Sequence, residues 1–273
     1  MLAGRKVVDM IRALLPSFAA LALCLGTAGL QAAPPSDDRP VVKACGHHDY
    51  PPWNWLRDGE IVGACAVVAQ RAIERLGYRV DLSHVGPWKR CQAMVRTGEV
   101  DVNICAFRNP ERESYSVFAE PRMGQNRIAV FVPKKKADTL DFSRWDDLKG
   151  LRTGLVIGVS MGPEFDQFLR KNTRVERVQR IDSMLKMMAK DRIDIIPFGW
   201  EAGTIAIERS GFAGEIVPLQ QPALVGELFV SVSRRSPLAA RLPEIGMYFA
   251  RPGYPDELRL LLDEYSRVYL QAR

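Results

Sequence analysis

Gly158-Val159-Ser160-Met161-Gly162 has the G-x-S-x-G form of a hydrolase nucleophile elbow, and it stands between an apolar stretch and a helical one, as that motif requires. The chemistry also needs an imidazole to take the serine proton, placed after the serine in that chain order. The chain has three histidines, His47, His48 and His84, and all precede Ser160. Serine hydrolysis is therefore set aside. The same geometry has another use: a Gly-rich turn opening a helix presents free backbone N–H groups and the positive dipole end, which hold an anionic or polar group. Adjacent His47 and His48 point to opposite sides of an extended chain and rarely share an ion. No H-E-x-x-H or spaced His/Cys set is present, so neither a metal nor another cofactor is expected, and the histidines read as loop residues with ordinary hydrogen bonds.

Asn109-Pro110-Glu111-Arg112 predicts a short helix, with Asn as cap and Pro at the first position. A cation in the first turn opposes the helix dipole, so Arg112 needs a reason to be there. One reason is structural, a pairing with Glu111, Glu113 or Glu120. The other is functional, since a guanidinium fork grips a carboxylate with two charge-assisted hydrogen bonds. Chemistry alone leaves both open. Tyr50, Trp53, Trp55 and Trp88 fall mostly on predicted loops, where aromatics either line a pocket or pack beneath the loop.

The elements that must position these groups alternate. Val41–Cys45 reads as a buried strand, Ala64–Leu76 as a helix stopped by Gly77, Tyr78–Leu82 as a strand, Trp88–Thr97 as a helix stopped by Gly98, and Val100–Phe107 as a strand. Further strands are predicted at 127–132, 153–157, 193–197 and 228–232, and helices at 163–170, 181–190 and 257–270. The strand–helix–strand order occurs in 41–107 and again in 153–197. That predicts an α/β fold in two lobes, with a ligand cleft at the carboxyl ends of the strands.

The composition of the 273 residues, 47% hydrophobic and 26% charged, excludes collagen-like and disordered classes. The net charge of +6 is spread along the chain, with no basic run beyond Lys134–Lys136, so no nucleic-acid partner is expected. Arg5, Lys6 and Arg12, the apolar stretch 13–23 and Ala32-Ala33 describe a cleaved export signal over 1–32. Its removal takes three bases and one acid and lowers the net charge by two. Export to an oxidising compartment makes Cys45, Cys65, Cys91 and Cys105 candidates for two disulfides, for which sequence alone permits three connectivities.

Five blocks in order give the chain a wider likeness. They are Tyr50-Pro51-Pro52-Trp53 with Asp58-Gly59-Glu60-Ile61-Val62-Gly63; Leu76-Gly77 with Gly98-Glu99-Val100-Asp101; Glu111-Arg112 with Tyr115-Ser116-Val117-Phe118-Ala119-Glu120-Pro121; Asp147-Leu148-Lys149-Gly150 with Gly158; and Asp191-Arg192-Ile193-Asp194. Together they resemble the family 3 extracellular solute-binding proteins, the periplasmic receptors of amino-acid-type ABC importers, as a divergent branch. The resemblance implies a type II periplasmic-binding-protein fold, with two mixed sheets flanked by helices. Lobe one would be 40–122 and 223–273, and lobe two 123–222. It implies a monomer that captures a small carboxylate-bearing ligand and presents it to an ABC transporter permease, without catalysis. It also implies roles for residues: Arg112 on the ligand carboxylate, Tyr50 over the ligand, and Val159 and Ser160 at a second-lobe helix N-terminus. Trp53 and Trp88 join the expected lining.

The departures from the family pattern fall at the site. Cys105, Ala106, Phe107 and Arg108 stand where small hydroxyl residues are usual, so Ala106 and Arg108 are expected to face the ligand, Arg108 assisting Arg112. The acid that binds an α-amino group falls at Gly199, with Glu201 as its possible substitute. Two other readings stay open: a dehydratase-like enzyme on the same fold, with Glu201 or Asp49 as its acid, and a soluble accessory sensor. For the disulfides, the predicted ends of strands and helices in lobe one suggest Cys45–Cys65 and Cys91–Cys105.

Overall fold

The computed structural model describes residues 37–272, so the expected export signal lies outside the described residues. The first half runs β1 (Val41–Cys45), β2 (Asp49–Tyr50), β3 (Asn54–Arg57), β4 (Glu60–Val62), α1 (Ala64–Glu74), β5 (Arg79–Asp81), α2 (Trp88–Thr97), β6 (Val102–Phe107), α3 (Pro110–Glu113) and β7 (Ser116–Phe118). The second runs β8 (Gly124–Pro133), α4 (Lys134–Ala137), β9 (Arg152–Val156), α5 (Pro163–Asn172), β10 (Arg174–Val178), α6 (Ile181–Ala189), β11 (Ile196–Gly199), α7 (Trp200–Arg209) and β12 (Ile216–Pro218). The chain closes with β13 (Leu224–Ser233), α8 (Leu242–Ala250) and α9 (Tyr254–Gln271).

One large mixed sheet has the order β11-β8-β13-β6-β1-β5. β1 is parallel to β5 and β6, while β13 is antiparallel to β6 and β8. The ten-residue strands β8 and β13 do the joining. β13 pairs through Leu224–Leu228 with β8 and through Leu228–Val232 with β6, while the far half of β8 pairs with β11 and β12. A parallel pair, β9 and β10, lies beside β11 through a bridge from Thr153 to Ile195. The carboxyl ends of β1, β6 and β9 therefore meet around the crossing strands, where loops from both halves of the chain converge.

α2 ends at Gly98 in the left-handed conformation expected of a glycine stop. Asp58 and Gly59 both have positive φ and close the β3–β4 hairpin. The Pro-rich stretch predicted as a loop thus carries a small antiparallel sheet, β2-β3-β4.

The cysteine pairing differs from the expected one: the bonds are Cys45–Cys91 and Cys65–Cys105. A bulge explains this. Between its partners in β13, β6 carries one extra residue in the stretch Asn103–Ala106, which breaks the alternation of its side chains. Ala106 then packs with Cys45 and Cys91 on the α2 side, while Cys105 turns to Cys65 on α1. No spacing rule reveals such a bulge.

Asp194, from the Asp191-Arg192-Ile193-Asp194 block, is a fastening rather than a ligand group. Its carboxylate accepts from the Arg152 backbone N–H and guanidinium at 2.8–2.9 Å and from Lys136. These donors hold its pKa well below the usual carboxylate range. A depressed folded-state value adds stability that is complete above the unfolded value of about 4 and is lost as pH falls below it. Asp194→Asn is expected to cost about 3 kcal/mol at pH 7, the lower end for a broken buried ion pair, because Arg152 and Lys136 keep access to water. Urea unfolding of both proteins from pH 7 to pH 3 should show the difference narrowing below pH 4. A constant difference would exclude the ionic origin.

Candidate functional site

Arg112 enters the interior because α3 is properly started. Asn109 Oδ1 accepts from the Arg112 backbone N–H at 2.9 Å, and Pro110 takes the first position. The side chain is 6% exposed. One guanidinium nitrogen donates to the Phe107 carbonyl at 2.6 Å, and the guanidinium carbon lies 5.5 Å from the Trp88 ring centre. The acids that could have neutralised it are engaged elsewhere: Glu111 with Arg96, and Glu113 and Glu120 with Arg108. Among the described residues Arg112 has no ion-pair partner within 4 Å. Burial pushes its pKa down, and Tyr115, Asp166 and Glu111 offset this only in part.

A cavity of about 40 Å³ lies against Arg112. Tyr50, Trp88, Ala106, Val159 and Ser160 line it, so six of the nine residues expected from sequence come together. Arg112, Val159 and Ser160 also line an outer cavity of about 520 Å³, which Lys89, Arg170 and Arg177 border. Contacts cross between the parts that β8 and β13 join. Trp88 Nε1 donates to the Gly158 carbonyl at 3.0 Å, and Asn126 Nδ2 donates to Tyr50 Oη at 2.6 Å. That phenol sits over Gly199, where an added Cβ would lie 2.2 Å from the oxygen. Ser160 Oγ donates to Asp166 Oδ2 at 2.5 Å and the Met161 N–H donates to Oδ1 at 2.9 Å, so Ser160 closes the first turn of α5.

Three expected residues are elsewhere. Trp53 is 2% exposed and packs in the core against Gly124. Arg108 stands before α3 and faces solvent, where Glu113 and Glu120 engage it. Glu201 belongs to the first turn of α7, not to a loop, and pairs with Arg127 at 2.9 Å. Asp49 lies in another hollow, facing Arg180 at 3.7 Å, and burial raises its pKa.

Sequence reasoning missed five residues on the wall: His47, Asn54, Cys105, Phe107 and Leu228. His47 is 5% exposed and follows the carboxyl end of β1, the one signal that could have marked it. Its Nδ1 accepts from the Asp49 N–H at 2.9 Å, and burial holds its pKa down at about 3.

The family profile of bacterial extracellular solute-binding proteins, family 3, matches residues 42–204. No curated protein sequence matches the chain. Among solved structures, AbpA of Streptococcus pneumoniae, an amino acid ABC transporter substrate-binding protein bound to L-arginine, is 15% identical, with a TM-score of 0.69 over 85% of this chain and 97% of that one. ArgBP of T. maritima, as its P235GK mutant, is 15% identical with a TM-score of 0.67, covering 82% and 94%. The VFT2 domain of Bordetella pertussis BvgS is 20% identical with a TM-score of 0.65, covering 84% and 94%. At these identities the likeness establishes the type II periplasmic-binding-protein fold.

Proposed function

Because the chain belongs to the bacterial extracellular solute-binding proteins of family 3, we propose that it is a periplasmic receptor that captures a small carboxylate-bearing ligand and hands it to the permease of an ABC importer. The observation that carries this reading is Arg112, a buried guanidinium with no ion-pair partner within 4 Å among the described residues, beside a cavity on the crossing strands. A ligand carboxylate supplies the missing charge and two parallel hydrogen bonds. The lobes in this reading are 40–122 with 223–273, and 123–222, and the protein acts as a monomer without catalysis. Ser160 spends its hydroxyl on Asp166, and Glu201 spends its carboxylate on Arg127, which supports binding rather than chemistry.

Capture requires the lobes to part and close about β8 and β13, as hinged receptors do. Trp88–Gly158, Tyr50–Asn126 and Arg180–Asp49 are the contacts that closure makes. A carboxylate identified by thermal-shift screening should reduce the radius of gyration in small-angle scattering. A radius unchanged at saturation would exclude capture by closure and favour a fixed cleft.

A further inference from the structure

We infer that the ligand of this cleft is a carboxylic acid without an ammonium group, held through its carboxylate by Arg112 and through a second acceptor, as in a 2-oxo acid, by the Nε2–H of His47. This rests on the solute-binding reading above and names its ligand class.

The tautomer of His47 follows from its bonds. Nδ1 accepts from the Asp49 N–H, so the single proton of the neutral ring sits on Nε2. With its pKa near 3 the ring is neutral throughout the physiological range. Nε2 is buried and makes no hydrogen bond, and the residue lines the cavity that Arg112 lines. A buried donor left unsatisfied has lost its water without a replacement, so an acceptor placed there contributes to binding. His47 is fixed in place, stacked on His48 with ring centres 5.1 Å apart and 5.3 Å from the Trp88 ring centre.

An ammonium group finds no such reception. It brings three donors and needs acceptors. The Phe107 carbonyl accepts from Arg112, and Asn54 Oδ1 accepts from the His47 backbone N–H. Among the described residues no carboxylate lines the inner cavity. Asp166 is committed to Ser160 and Met161 and Glu201 to Arg127, while Asp49, whose Oδ2 lies 3.7 Å from Arg180 and accepts no hydrogen bond among the described residues, belongs to a separate hollow. The surface of Gly199 is covered by the Tyr50 phenol. A second cation beside Arg112 would be repelled in a medium that screens charge poorly. The inner wall therefore offers donors, a guanidinium and an imidazole N–H, against aromatic sides.

The test is calorimetry at pH 7 with matched pairs: phenylpyruvate and L-phenylalanine, 2-oxoisocaproate and L-leucine, 2-oxoglutarate and L-glutamate. At least one 2-oxo acid should bind ten times or more tighter than its amino acid. His47→Phe, which keeps a stacked ring and removes the donor, should lose tenfold or more for that 2-oxo acid, and His47→Gln, which returns an N–H, should recover part of it. An amino acid that binds as tightly as its 2-oxo partner overturns the inference and leaves the receptor reading standing. Unchanged affinity in folded His47→Phe overturns the role of His47. Absence of binding by every compound of both series overturns the inference together with the carboxylate reading beneath it. If His47→Phe does not fold, the matched pairs on the unaltered protein still decide the ligand class.

Discussion

Arg112→Ala is expected to abolish ligand binding while leaving the empty protein about as stable as before. Truncating one partner of a desolvated charge pair costs about 2–5 kcal/mol, a loss of roughly thirtyfold to several thousandfold in affinity. Stability should follow only weakly, because in the empty protein the guanidinium is a buried charge with no ion-pair partner within 4 Å among the described residues, held by the Phe107 carbonyl, the face of Trp88 and Tyr115, with Asp166 and Glu111 acting from further off. The cap of α3 is untouched, since Asn109 binds the backbone N–H of residue 112 and not its side chain. The dissociation of the two effects is the signature of a ligand-facing arginine. An arginine kept for packing would lose both together. Arg112→Lys should also bind poorly, because an ammonium keeps the charge but cannot form the bidentate fork. Calorimetry and urea unfolding on the same preparations decide it. Full affinity in Arg112→Ala would falsify the site.

What the sequence discloses depends on whether the cause is local. α1, α2, α5, α6 and α9 follow from apolar spacing and from stops such as Gly98, features contained within one element. α7 starts directly after β11 with no side-chain cap and has Gly203 within it, so neither an intervening loop nor a start signal marks it. The same distinction runs through the site. Arg112, Tyr50, Val159 and Ser160 can be placed because family blocks fix them relative to strand ends. Arg108 and Glu201 cannot, because their partners, Glu120 and Arg127, come from elsewhere in the chain. The identity of the acid satisfied by each arginine decides which arginine is free for a ligand. His47 is hidden from the sequence for a similar reason. Its importance lies in an unmet donor, which exists only once the fold has buried it.

Loss of the Cys45–Cys91 bond should lower stability more than Asp194→Asn or Arg112→Ala, and its partners should differ from those suggested by proximity along the chain. Cys45–Cys91 spans 46 residues and Cys65–Cys105 spans 40. For loops of that length the chain-entropy model gives about 4 kcal/mol for each bond. The Cys45→Ala, Cys91→Ala double variant should therefore lower Tm by about 8–16 °C in a chain of this size. Both bonds together should contribute less than twice this, because the two loops interlock and each already restricts the other's unfolded chain. A consequence for function follows from position. Cys45 and Cys91 flank His47 and Trp88, so their bond ties the carboxyl end of β1 to the start of α2 beside the cavity. The double variant should weaken binding of a proven ligand as well as stability, and so should opening Cys65–Cys105, which ties β6 to α1, because Cys105 itself lines the cavity. Peptide mapping without reductant should recover 45 with 91 and 65 with 105. Recovery of 45 with 65, or four free thiols, would mean that the β6 bulge does not direct Cys105 towards α1, and the account of how Ala106 comes to face the cleft would fall with it.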